Sequence, residues 1–204
     1  MRAVAVVDKN LAIGRDGSLL FRLPSDLKQL KELSLGGIVV MGRKTLESMP
    51  GGKPLPGRHN LVLSGSMQPG IELIENEGKR WVFGVFNDMD SLLDFLGYQG
   101  NQPYGGWLFR SKNINIFGGG EVYRQFLPLC DSIQLTEVDA EAEDPDTWFP
   151  DFRADGDWRL AHMGEPVLDG GLTYRINTYE RIGDECTGCS ESSCSGVCSG
   201  CAGI

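Results

Sequence analysis

Short apolar runs punctuate the chain at Ala3–Val7, Ile38–Met41, Asn60–Leu63, Asn115–Phe117 and Ser132–Thr136. Continuous runs of this length read as strands buried on both faces. Between them the spacing turns helical: Leu27, Leu30 and Leu33 follow Pro24-Ser25, and Thr45–Met49, Met89–Leu96 and Val122–Leu127 carry the same period. Strand and helix alternate, which predicts an α/β fold around a mostly parallel sheet. Ser25 is the predicted cap of the first helix, with Asp26 in the first turn, where free amides and the helix dipole favour a negative charge. Trp158–Met163 and Leu172–Arg181, on either side of Gly170-Gly171, read as an antiparallel finish.

The periodicity ends near Ile182, so the expected organisation is a folded domain, residues 1–182, followed by a Gly/Ser/Cys-rich tail, residues 183–204. Gly97–Gly106 reads as a surface excursion. Hydrophobic residues make up 41% of the 204 and charged residues 23%, which excludes disorder of the whole chain. Lys+Arg number 19 against 28 Asp+Glu, a formal net charge of −9. That field repels phosphate backbones and anionic head groups, so neither nucleic acid nor membrane is an expected partner, and an anionic ligand needs local cations. The N-terminal apolar run stops at Asp8, too short for a membrane span or a secretory signal, and the expected location is cytoplasmic.

Cysteine use is lopsided. Cys130 lies in the body, whereas Cys186, Cys189, Cys194, Cys198 and Cys201 form a C-x2-C-x4-C-x3-C-x2-C pattern in the tail. Its two C-x2-C pairs are candidate ligands for zinc or an iron–sulfur cluster. Without histidine, and with Val197 as its main apolar residue, a disordered or disulfide-prone tail is the favoured alternative.

Chemistry concentrates at a few turns. Phe117-Gly118-Gly119-Gly120 follows a strand and opens a helix, so its backbone can approach a phosphate, although a tight turn explains a glycine triplet equally well. Gly42-Arg43-Lys44-Thr45 places two cations at a helix N-terminus, against the dipole, and calls for a compensating anion unless the side chains simply extend into water. Pro54-Leu55-Pro56-Gly57-Arg58 is a stiff turn that aims an arginine, as a carboxylate clamp or as part of the turn itself. Asp26, beside Leu23, Leu27 and Leu30, is either a helix-capping acid or a partly desolvated ligand group.

In their order along the chain, Ile13-Gly14, Leu23-Pro24-Ser25-Asp26-Leu27, Met41-Gly42-Arg43-Lys44-Thr45, Pro54-Leu55-Pro56-Gly57-Arg58, Phe117-Gly118-Gly119-Gly120, Tyr123 and Leu135-Thr136 closely resemble dihydrofolate reductases of the bacterial and phage type. The resemblance covers Ala3 to Arg181 and stops at the tail. It implies a single domain built on a central eight-stranded mixed, mostly parallel sheet flanked by helices. The implied activity is NADPH-dependent reduction of 7,8-dihydrofolate to tetrahydrofolate, hydride to C6 and proton to N5, serving one-carbon metabolism and thymidylate synthesis. The expected state is a monomer, with no partner assigned to the tail.

The same resemblance implies roles for particular residues. Asp26 would accept from the pterin N3 and 2-amino group, with Thr136 hydrogen-bonded to it. Val4 and Ala5 would line the pterin site, and Leu27, Leu30 and Met49 the aminobenzoyl channel. Arg58, assisted by Lys53, would hold the glutamate carboxylates. Arg43 and Ser64 would meet the 2′-phosphate of NADPH, and Lys44 and Thr45 its pyrophosphate. Val6, Phe117, Gly118, Gly119, Gly120 and Tyr123 would lie along the way to the nicotinamide. Ile13 and Gly14 through Leu19 would form a mobile loop closing over the reaction.

Several positions depart from the family pattern. Phe21 stands where Trp is usual, Leu20 replaces a common Pro, Arg22 is an unusual neighbour, and Glu121 occupies a position that is often basic. Gly51-Gly52 and Gly97–Gly106 look like insertions. Two rivals remain at this level: a riboflavin-pathway reductase of related fold, and a folate-binding structural or regulatory protein without turnover. Asp26 after Leu-Pro, and Arg58 after Pro-Leu-Pro-Gly, fit a folate better than a ribitylamino pyrimidine.

Overall fold

The apolar runs singled out above lie side by side as the parallel centre of one sheet in a computed structural model, which describes residues 1–76, 78–99, 102–103 and 113–183. The chain begins with strands β1 (Arg2–Val7), β2 (Ala12–Arg15) and β3 (Ser18–Leu19), then helix α1 (Pro24–Ser34). Next come β4 (Ile38–Gly42), α2 (Arg43–Ser48), a 3-10 turn at Pro50–Gly52, β5 (His59–Leu63), and the hairpin of β6 (Gly70–Asn76) and β7 (Lys79–Phe86). Helix α3 (Met89–Phe95) precedes β8 (Tyr98–Gln99), β9 (Gln102–Pro103), β10 (Ile114–Ile116) and α4 (Gly120–Phe126). Strands β11 (Ser132–Val138), β12 (Thr147–Trp148), β13 (Trp158–His162), β14 (Val167–Asp169) and β15 (Leu172–Arg181) complete the described order.

The main sheet runs β13-β15-β11-β1-β10-β4-β5-β7-β6, with β14 paired to β15. The sheet has ten strands rather than the eight implied by the resemblance: nine along this path, and β14 beside β15. From β11 to β7 every neighbour is parallel; β6, β13, β14 and β15 pair antiparallel. Helices cover both faces. Leu92 and Leu93 of α3, and Val122, Tyr123 and Phe126 of α4, pack with Ala3, Ala5, Val7, Val40 and Leu61. On the other face Leu30 of α1 and Leu46 of α2 pack with Val4, Val39, Met41, Val62 and Phe117.

This two-sided covering explains why β1, β4 and β10 read as continuous apolar runs. It also separates the side chains of β1. Ala3, Ala5 and Val7 enter the α3/α4 core, while Val4 and Val6 face α1. In the parallel register Val6 lies beside Thr136, so the two share that face.

Two local readings change. The segment Ile13–Leu19, expected as a mobile loop closing over the reaction, is largely the β2–β3 hairpin, with β12 as a third strand against β2. Its turn is Asp16-Gly17, both in the left-handed region (φ 50° and 73°), a pairing typical of tight hairpins. Ser25 does not cap α1. Leu23 is the cap residue, Pro24 occupies the first turn, and Leu23 has no side-chain oxygen to offer. The tail cysteines and half of Gly97–Gly106 lie outside the described residues.

Candidate active site

Asp26 sits in the first turn of α1, 6% exposed, and points at β11. Thr136 Oγ1 donates to Asp26 Oδ1 at 2.5 Å, joining positions 110 residues apart. Burial pushes the Asp26 carboxyl above the ordinary carboxylate range, and the Thr136 hydrogen bond opposes part of that rise. Val4 and Val6 flank the acid's partner on the same sheet face. Ala5 is brought near by its backbone alone, because its methyl group lies in the opposite core. Leu23, Val138 and Tyr174 form a small apolar cluster under the start of α1, and Phe21, the residue that departs from Trp, packs against it.

The rest of α1 supplies the apolar wall. Leu30 is partly buried with Met49 and Leu55, but Leu27, expected to face the core, is 40% exposed. An exposed leucine one residue from a buried acid is a surface fit for an apolar ligand. Lys53 is exposed after the Pro50–Gly52 turn.

At the far end of this wall Arg58 is 4% exposed. Its Nη2 donates to Lys31 O at 3.5 Å, while Nε is buried without a hydrogen-bond partner. Burial also lowers the guanidinium's proton affinity. A sheltered cation with an unmet donor suits an incoming carboxylate. Asn60, which sequence reasoning did not single out, braces the turn that aims Arg58. It accepts from Leu55 N at 2.8 Å and donates to Leu55 O at 2.9 Å and Arg58 O at 3.0 Å. Helical rise places Asp26 and the Lys31 carbonyl about 7.5 Å apart along α1, so acid and arginine bracket an elongated ligand.

The second half of the site lies where β4 and β10, adjacent and parallel, each turn into a helix. Phe117 N donates to Val40 O at 2.8 Å and Gly42 N to Gly118 O at 2.7 Å, so the two turns abut. Crevices beyond the carboxyl ends of parallel strands are the usual ligand positions in such sheets. A Cβ on Gly119 would meet only Thr45 Oγ1, at 3.7 Å, so glycine keeps this crevice open. At Gly118 the reason differs: φ is +86°, and a Cβ would fall 2.3 Å from the Tyr123 ring. Tyr123 is buried, and its hydroxyl donates to Val4 O at 2.6 Å, tying α4 to β1 between the two halves of the site.

Around the crevice, α2 has no acidic residue in its first turn, and Arg43 pairs with Glu47 at 2.7 Å on the surface. Lys44 is near enough to Asp146 to help hold that carboxyl below its ordinary range, behind the hydrogen bonds from Thr147 and Asp16. Ser64 is buried and accepts from Met67 N at 3.2 Å in the turn after β5. Glu121 is engaged along α4 by Arg124 and by Gln125, the latter at 2.9 Å. These groups present cations, hydroxyls and free helix amides to a phosphorylated ligand and fit a dinucleotide.

The hairpin over the site is tied down by a residue not foreseen. Asp146 Oδ2 accepts from Asp16 N at 2.8 Å, and Asp146 N donates to Gly14 O at 3.1 Å. Among the described residues no group of three or more His, Cys, Asp and Glu is placed to hold a metal ion, and no helix is long and apolar enough to cross a membrane.

Comparison with known proteins agrees with this geometry. The family model described as Dihydrofolate reductase matches residues 1–181. The dihydrofolate reductase of Mycobacterium leprae (strain TN) is 36% identical over 173 residues, 83% of this chain and 90% of that protein. The bifunctional dihydrofolate reductase-thymidylate synthase of Daucus carota is 32% identical over 191 residues; the match takes in 89% of this chain but 34% of that protein, so the chain spans about a third of such relatives. The solved dihydrofolate reductase of Enterococcus faecalis, complexed with NADP(H) and RAB-propyl, superposes with a TM-score of 0.67 at 27% identity, over 88% of this chain and 95% of that one. With the family model covering the whole folded body and single-function relatives aligned nearly end to end, the chain belongs to the dihydrofolate reductase family.

Proposed function

We propose that the chain reduces 7,8-dihydrofolate to tetrahydrofolate with NADPH as the electron donor. The observation that carries this reading is the buried Asp26–Thr136 pair between α1 and the sheet, with the unmet donor of Arg58 at the other end of the same helix. A bicyclic head with adjacent N–H donors matches the acid, an aromatic middle matches Leu27, Leu30 and Met49, and a terminal carboxylate matches Arg58, with Lys53 at the margin. NADPH, when bound, supplies the hydride that reduces C6.

The protein's part is binding, orientation and proton supply. Asp26 accepts from pterin N3 and the 2-amino group and, through its raised proton affinity, sustains protonation of N5 by way of water. The N5=C6 double bond thus gains a hydride at C6 and a proton at N5. Thr136 fixes the carboxyl's orientation, and the Val4 and Val6 side chains with the Ala5 backbone set the depth of the ring. In the crevice, Arg43 and Ser64 take the 2′-phosphate, Lys44 and Thr45 the pyrophosphate, and Phe117, Gly118, Gly119 and Gly120 line the path to the nicotinamide beside Tyr123. The β2–β3 hairpin from Ile13 and Gly14 to Leu19 covers the reacting atoms and excludes water. Residues 1–182 form the catalytic unit, which on this reading acts as a cytoplasmic monomer. A spectrophotometric assay of NADPH oxidation tests the reading: oxidation must depend on added dihydrofolate, and binding of both without oxidation would leave only the non-catalytic folate binder.

Two further outcomes follow from the crevice. Arg43→Ala should weaken NADPH by about tenfold, a charge-assisted hydrogen bond's worth, and leave NADH nearly unchanged. Equal losses measured by fluorescence titration would remove Arg43 from the 2′-phosphate. Gly119→Ala should keep the urea midpoint close to that of the parent while raising KM for NADPH, because its methyl group enters ligand space. Gly118→Ala should instead lower stability by about 3 kcal/mol, through left-handed strain and collision with Tyr123. Indistinguishable behaviour of the two variants in urea would contradict this division.

A further inference from the structure

The start of α1 holds Asp26, yet the local sequence gives that start no cap. Leu23 at the cap position carries no side-chain oxygen, Pro24 has no N–H, and no side chain of α1 satisfies the next amide. The missing acceptor comes from 144 residues away. Asp169 Oδ2 accepts from Ser25 N at 2.9 Å, one residue before the acid. Asp169 ends β14, and its position is set by a two-residue hairpin, Gly170-Gly171, with φ of 60° and 85°, angles that glycine adopts without strain. The hairpin pairs Asp169 with Leu172 and Val167 with Tyr174.

A second contact stabilises the same joint. Leu23, Tyr174 and Val138 are buried together, with Leu172, Val6 and Phe21 packed against them. Tyr174 shares its face of β15 with Ile176, which pairs with Thr136. Burial, followed by the charges of Asp26 and Asp169, raises the Tyr174 hydroxyl's proton affinity, and a hydrogen bond with Ser25 opposes part of that rise. The first turn of α1 is therefore gripped from below by Leu23 and from its end by Asp169, and the grip ends one residue short of the group that meets Thr136.

We propose that Asp169 is a positioning residue for Asp26: from the β14–β15 turn it supplies the helix cap that α1 lacks, and so keeps the acid buried against Thr136. The proposal rests on the reading of Asp26 as the folate-binding acid, and it assigns Asp169 no contact with substrate. Thr136 from β11 is hydrogen-bonded to Asp26, Tyr174 from β15 is near enough to feel the charges of both Asp26 and Asp169, and Asp169 holds the amide of Ser25, the residue before the acid. Without the cap the first turn frays, water reaches the carboxyl, and the main cause of its raised proton affinity weakens.

The experiment compares the full chain with Asp169→Ala and Asp169→Asn. Carbon NMR titration of the aspartate carboxyls in the unliganded protein, with Asp26→Asn identifying the resonance, follows the acid directly. The pH profile of turnover follows it in the working enzyme. In Asp169→Ala the Asp26 midpoint and the falling limb of the profile should both move toward acid by about half a pH unit or more. Asp169→Asn, whose amide oxygen still accepts from Ser25 N, should restore most of the parent behaviour. An unchanged Asp26 titration in Asp169→Ala, even with a lowered melting temperature, would reduce Asp169 to a structural cap and overturn the proposal. So would equal shifts in the Ala and Asn variants, which would point to charge rather than to the hydrogen bond. Failure of the underlying functional reading is seen separately, as absence of dihydrofolate-dependent NADPH oxidation by the parent chain.

Discussion

Asp26→Asn should lower dihydrofolate turnover at neutral pH by about 100- to 10,000-fold, the usual range for removing a positioned acid–base group. The loss should shrink as the medium becomes more acidic, because solvent then protonates N5 without help. The same substitution has an opposite effect on stability. Burial holds the folded-state carboxyl above its ordinary range, so between the ordinary and the raised value the folded chain binds more protons than the unfolded one. Stability therefore falls as pH rises through that window, and the ionised acid costs the unliganded protein stability at neutral pH. Asparagine keeps an acceptor for Thr136 and carries no charge, so the melting temperature should rise at neutral pH and change little at acid pH, where the parent is protonated. Calorimetry at two pH values beside the activity profile checks both halves. Full activity with a lowered melting temperature would make Asp26 a structural group.

The second large effect is expected at Arg58. Arg58→Leu should raise KM for dihydrofolate by about 100-fold, the worth of one or two hydrogen bonds between charged groups, with little change in kcat. The clamp holds a part of the substrate that does not react, so its contribution is equal in ground and transition states. The parent and the variant should therefore turn over a dihydropterin lacking the glutamate tail at the same rate. Folding should tolerate the change, since the guanidinium makes one long hydrogen bond, to Lys31 O, and its Nε is unmet. A proportional fall in turnover of the truncated substrate would mean that Arg58 supports the fold of the site rather than the carboxylate.

The strands at the sheet centre could be read from sequence because burial on both faces leaves a continuous apolar run, as in Ala3–Val7 and Ile38–Met41. The β6–β7 hairpin went unread, although Ile71, Leu73 and Trp81 to Phe86 flank a turn at Gly78. Ile71 and Leu73 are exposed at the sheet edge, where alternation is weakly enforced. Asp16-Gly17 is a readable hairpin signal inside the segment expected to form a mobile loop. In the site, Asp26 and Arg58 stood out because an acid among leucines and an arginine directly after a Pro-Leu-Pro-Gly turn are locally conspicuous. Asn60, Asp146 and Asp169 have no such local mark: each is an ordinary polar residue in or at the end of a strand or loop until its partner is known.

Local order was thus determined by the sequence itself: which segments are strands or helices, where the glycine turns fall, and which residues carry charge at a helix start. These depend on periods of a few residues and on backbone preferences that act within one turn. Only the tertiary structure decided the pairings Thr136 with Asp26, Asp169 with Ser25 and Asp146 with Asp16, over separations of 110, 144 and 130 residues. It also decided that Ala5 faces away from the acid and that Ser25 is capped from outside. The physical reason is that a hydrogen bond across such distances follows from how the sheet is ordered and registered, and a chain read residue by residue carries no local energy term for it.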